Sequence, residues 1–178
     1  VREISGSDLA ASEKYLSTEG DIRLSVDRFK GTPAAIFPIE VPPGTNGMTP
    51  ELAIEIGNNA IARGNESGIL IKGADALRGC KVAGADFCLG IQPLIAIKGA
   101  KQGTLYSVAI NPRMIIRKTD TGYSLGSGNG ITQSYESLTS QTAESGPWYL
   151  SETVDWYGNF IRYFHDPKTG QLTDIFYG

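Results

Sequence analysis

The chain has 178 residues, a formal net charge of −3 and a pI near 5.2, with 40% hydrophobic and 20% charged residues. These values fit one domain with a proper core, leave two domains cramped, and exclude wholesale disorder. The acidic balance argues against a general nucleic-acid binder, which presents a basic face, and no apolar run reaches the length that spans a bilayer.

In chain order, residues 1–20 (VREISGSDLAASEKYLSTEG) are polar. Ser7 and Asp8 are placed to cap a short helix through LAASEKYL, and a mobile arm fits the composition equally well. The opening residue, Val1, reads as a processed, cut or partial product, and processing points most simply to secretion. DIRLSVDRF alternates Ile22, Leu24 and Val26 with polar residues, predicting a half-buried strand. AAIFPIEV (34–41) is a second extended segment, with Pro38 placing it at an edge or a bulge. After the punctuated PPGTNGMTP, ELAIEIG alternates Leu52, Ile54 and Ile56 against Glu51, Ala53 and Glu55.

Turn chemistry over 58–68 leads to the short apolar ILIKG, and ADALRGC predicts one turn of helix. FCLGIQPLIAIKGA (87–100) predicts two short strands separated by Pro93. TLYSVAI and RMIIRKTD flank Asn111-Pro112, a turn signal, and GYSLGSGNGITQSYE carries a hairpin signal in Gly-Asn-Gly. Residues 137–147 form a polar linker. The last stretch reads as three strands joined by turns at DWYGN and DPKTG. Turn signals every eight to twelve residues predict a mainly β fold of antiparallel sheets built from hairpins. The expected organisation is an N-terminal arm over 1–20 and one β-rich domain over 21–178.

Chemistry is sparse. The single histidine, His165, falls at a strand position in FIRYFHD, and no nucleophile sits in a recognisable turn context. GSGNG (126–130) lacks the Lys-Ser/Thr and following helix of a phosphate loop. Arg113, Arg117 and Lys118 read as a solvated strand edge. Glu152, Asp155 and Asp166 are close in sequence, but Asp155 and Asp166 each open a turn, where Asp bonds its own backbone. No catalytic residue, metal site or cofactor is therefore expected. Cys80 and Cys88 leave three options: a disulfide closing a short loop, two buried thiols, or a metal site short of ligands. Aromatic residues crowd the last thirty positions. The candidate ligand or partner contacts are Trp148, Trp156, Tyr157 and Tyr163, of which the turn residues Trp156 and Tyr157 are the hardest to bury.

FPIEVPPGTNGMTPELAIEIG (37–57) resembles the opening of the SpvB/TcdB-type domain of bacterial insecticidal toxin-complex B subunits and related Rhs proteins. The Cys80–Cys88 spacing with FCLGIQPLIAI, and then GYSLGSGNGITQSYE, resemble later segments of that family. WYLSETVDWYGNFIRYFHDPKTGQLTDIFYG is similar to a YD-type (Rhs) repeat. The matches fall in family order and cover most of 35–178. The family's tryptophan-bearing middle is GNESGILIKGADAL here, and Gly90 stands where the family has aspartate. The resemblance implies a shortened, non-enzymatic β-shell module, secreted, that assembles with another toxin-complex or shell protein. The alternative is a free-standing secreted effector binding a host protein or glycan. A carboxylate-based hydrolase is the weakest of the three readings.

Overall fold

A computed structural model describes residues 23–26, 33–57, 69–80, 85–90, 92–101, 103–139 and 146–178. The expected N-terminal arm or helix lies outside them. The protein is mainly β, with every described register antiparallel. By its internal contacts the chain divides into two compact units, Val1–Ile39 with Ala53–Ile71, and Glu40–Leu52 with Lys72–Gly178.

The first unit carries a four-stranded sheet in the order β1-β2-β3-β4. Its strands are β1 (Arg23–Val26), β2 (Pro33–Ile39), β3 (Leu52–Gly57) and β4 (Ile69–Lys72). β2 is flanked on both sides, so it is not an edge strand, but its pairing with β1 stops at Ile36. Pro38 lies beyond that pairing, where its missing N–H removes no bond to β1. In β3 the alternation is present but inverted. Glu55 is 3% exposed, whereas Ile54 and Ile56 face outward and Ile56 is 41% exposed. Period-two geometry fixes which residues share a side, and cannot say which side is covered.

The second unit opens with the 40–51 loop. A single 3-10 turn, Thr45–Gly47, holds Asn46 and Gly47 at φ of 53° and 80°. It delivers the buried Met48 to the core, while the Thr49 hydroxyl accepts from Gly44 N at 2.9 Å.

The ten-stranded sheet follows, curled into a half-barrel. Its strands are β5 (Leu77–Gly79), β6 (Phe87–Leu89), β7 (Gln92–Ala96), β8 (Leu105–Val108), β9 (Asn111–Lys118), β10 (Gly122–Gly126), β11 (Thr132–Ser137), β12 (Trp148–Val154), β13 (Phe160–His165) and β14 (Leu172–Tyr177). From β5 to β12 each strand pairs with the next in chain order. A single bridge, Trp148 opposite Leu77, then joins β12 back to β5. One long side of β12 thus takes β11, and the other is divided between β5 at Trp148 and β13 at Glu152–Val154.

Directly opposed residues share a face, and here they line one core: Leu94 with Val108, Tyr106 with Ile116, Ile116 with Leu125, Tyr123 with Tyr135, Tyr135 with Leu150. All of them are buried.

Several expected boundaries move. ADALRGC forms strand β5 rather than a helical turn, because Leu77–Gly79 pair with Phe87–Leu89. The break between β6 and β7 falls at Gly90, whose φ of 58° suits glycine, and Pro93 sits within β7 with its carbonyl accepting from Ala109 N at 3.1 Å. Asn111-Pro112 begins β9, and the turn lies just before it at Ala109–Ile110. There the register with β8 skips from Ile115 to Asn111, so Pro112 breaks no ladder bond. The 122–137 hairpin and the three closing strands stand where the sequence places them.

Candidate functional site

Strand alternation sorts the candidate aromatic residues into two classes. Trp148 and Tyr163 are interior, in the core-packing role that strand aromatics most readily take rather than at a surface contact. Trp148 opens β12 on the covered side, with its ring 4.9 Å from Tyr123 and 5.3 Å from Phe87, both near perpendicular. Phe87 in turn meets Tyr106 edge-on at 5.7 Å. Such edge-to-face packing matches the positive ring edge to the negative ring face. Gly146 makes room for it, since a Cβ there would lie 2.7 Å from the Trp148 ring. The Trp148 indole N–H has no acceptor among the described residues. Tyr163 shares its side with Ile161 and is likewise buried. Burial pushes the Tyr163 phenol up, and pushes Tyr123 up to about 12.

Trp156 and Tyr157 are the opposite case, 81% and 85% exposed at the tip between β12 and β13. The tip is tightly built. Asp155 Oδ1 accepts from Tyr157 N at 2.8 Å and Asn159 N at 2.9 Å, and Oδ2 accepts from Asn159 Nδ2 at 2.7 Å. The Asn159 side-chain bond, with three backbone donors, holds the Asp155 carboxyl below its ordinary value. Gly158 adopts a φ of 83°, as its place in DWYGN predicts.

The other singled-out groups have structural partners. Glu152 receives the Arg162 Nε at 2.8 Å from the directly opposed position on β13. Asp166 Oδ1 accepts from Lys168 N at 2.7 Å and so holds the last turn. His165 ends β13 with its ring 5.1 Å from Tyr149, and burial lowers its pKa. Arg113, Arg117 and Lys118 are exposed, but β9 lies between β8 and β10, so they are not on a sheet edge, and the neighbours Arg117 and Lys118 point to opposite sides of the strand. Cys80 and Cys88 form a disulfide, with Cα atoms 5.1 Å apart. Arg78 opposes Cys88 across β5 and β6, so the two cysteines are diagonal neighbours. Among the described residues no three His, Cys, Asp or Glu side chains converge to hold a metal, and no helix is long and apolar enough to cross a membrane.

A second surface was not singled out from the sequence. On β13, Phe160, Arg162 and Phe164 share the side away from Ile161 and Tyr163, and Arg162 opposes Phe176 on β14. Phe160 and Phe176 stack at 6.0 Å, with the Arg162 guanidinium 4.5 Å from the Phe160 ring centre. Phe164 is half exposed and Phe176 is 61% exposed. The signal was present in the alternation of FIRYFH, whose two sides are both aromatic. Beyond this face, β14 pairs only with β13 and leaves its other side without a strand among the described residues.

No protein-family model matches this chain, and no curated protein matches it significantly.

Proposed function

We propose that this chain is a non-enzymatic β-shell or assembly module of a secreted, toxin-type protein, built to continue its sheet against another protein. The observation that carries the reading is β14. It is a six-residue strand at the margin of a curled sheet, with one side unpaired among the described residues and a neighbouring outward face bearing Phe164 and Phe176. An edge strand without lysine or proline is a template for a further strand, and here only its end is touched by another described segment, where the Tyr177 hydroxyl donates to Pro42 O. β14 holds one charge, Asp174, and its pairing with β13 carries the nearby bulge at Phe164/His165. The carboxylates that could serve a hydrolase are engaged in turns or in the Glu152–Arg162 pair, which supports assembly over chemistry. The Cys80–Cys88 disulfide supports an oxidising compartment.

Size-exclusion chromatography with light scattering, on protein isolated from its native source, tests this. The expected result is an assembly heavier than the 19.1 kDa chain that dissociates when Ile175→Pro and Phe176→Lys are combined. A lone chain, or an assembly indifferent to those substitutions, overturns it. A second reading, a free-standing binding protein, is favoured by the exposed pair Trp156 and Tyr157.

A further inference from the structure

We infer that the adjoining turns at 127–131 and 155–159 form a binding site for a neutral oligosaccharide, with Trp156 and Tyr157 as the stacking platform. The proposal is independent of the β14 edge.

The pairing of Thr132 with Val154 places the two turns side by side at one end of the β11–β12 ladder. They meet at Gly130, which has a φ of 86°. A Cβ built there falls 1.2 Å from Trp156 Nε1 and 1.7 Å from Cδ1, so the indole rests directly on the glycine backbone. The ring is seated against protein and still 81% exposed. Ser127 N donates to Ile131 O at 3.2 Å, Ile131 N donates to Asn129 Oδ1 at 3.2 Å, and Ser127 Oγ also bonds Asn129 Oδ1. The facing turn is fixed by Asp155 and Gly158. Both turns are therefore ordered before any ligand arrives, which lowers the entropy lost on binding.

The chemistry around the rings is specific in kind. A tryptophan and a tyrosine offer flat, electron-rich faces that suit the C–H face of a pyranose. Ser127, Asn129, Asp155 and Asn159 surround them with hydroxyl, amide and carboxylate groups, the functions that exchange hydrogen bonds with sugar hydroxyls. Neither turn, SGNGI nor DWYGN, contains lysine or arginine. That composition disfavours nucleic acid and anionic lipid, both of which select cations. Gly130 is covered by the indole itself, while a Cβ at Gly128 would meet only Arg113 O, at 4.0 Å, and one at Gly158 would meet nothing, so the approach from those two positions is open.

The two tryptophans report separately, since Trp148 is buried and Trp156 is exposed. The full chain is titrated with chitotriose, cellotriose and mannotriose while iodide-quenchable emission is followed. The expected result is a saturable loss of quenching with at least one trisaccharide. Trp156→Ala, which removes the reporter and is therefore read by isothermal titration calorimetry, abolishes binding, and Tyr157→Ala weakens it about tenfold or more without lowering the melting temperature. The Tyr157 variant keeps the test decisive if Trp156→Ala fails to fold. No response to any of the three sugars, or a response that survives Tyr157→Ala unchanged, overturns the proposal. A blue shift with phosphatidylcholine vesicles and none with sugar also overturns it, reassigning the tip to a membrane surface.

Discussion

The two sheets of this protein treat apolar residues in opposite ways. Along the β5–β12 cycle, opposed residues such as Tyr106 and Ile116 turn inward and are almost fully covered. In the four-stranded sheet, Leu24, Ile54, Ile56 and Ile69 are all exposed, while Glu55 is buried. What differs is closure: a sheet whose strands β5 and β12 meet again supplies its own cover, and an open run of four strands does not.

Substitutions sharpen that contrast. The largest effect is expected for Trp148→Ala in the closed region, because it empties the centre of the aromatic cluster. Denaturant unfolding should show a loss of about 3–5 kcal/mol, and a loss under about 1 kcal/mol would mean that the core is not consolidated there. Replacing Cys80 and Cys88 together by serine removes a cross-link over a short loop. The expected cost is about 2–3 kcal/mol, read as a lower unfolding midpoint that reducing agent no longer changes. Gly158→Val tests the exposed turn, where there is space for a side chain but the positive φ penalises one. It should cost about 1–2 kcal/mol, and unchanged thermal stability would remove the turn assignment. The smallest effect belongs to the open sheet. Ile56→Thr should lie within about 0.5 kcal/mol of the parent. A penalty several times larger would show that Ile56 is covered in solution and would erase the contrast between the sheets.

Much of the fold was legible because turn chemistry and alternation are local. DWYGN and GSGNG declare their turns through glycine at positive φ and through Asp or Asn bonding the nearby backbone. The misplaced boundaries have a different cause. Pro93 and Asn111-Pro112 look like punctuation, yet neighbouring strands absorb them by way of a carbonyl bond and a register skip. The site was half legible. A turn position correctly marks Trp156 and Tyr157 as hard to bury. Trp148 and Tyr163 carry the same aromatic signal, and their fate depends on partners, Leu77 and Ile175, that no local pattern reveals. The Phe160–Phe176 face escaped for the same reason: it exists only once the β13–β14 register is set.

The divided side of β12 also has a kinetic consequence. Its β13 half is satisfied by a hairpin, a contact between near neighbours in the chain that forms with little loop-closure entropy. Its β5 half waits for Leu77, which arrives only after the whole β6–β11 meander has been threaded between them. The Tyr177 hydroxyl, bonded to Pro42 O at 2.9 Å across 135 positions, is a still longer tie. Contact order is therefore unevenly distributed along one strand, and by that measure closure at Trp148 should be slower than formation of the β12–β13 hairpin.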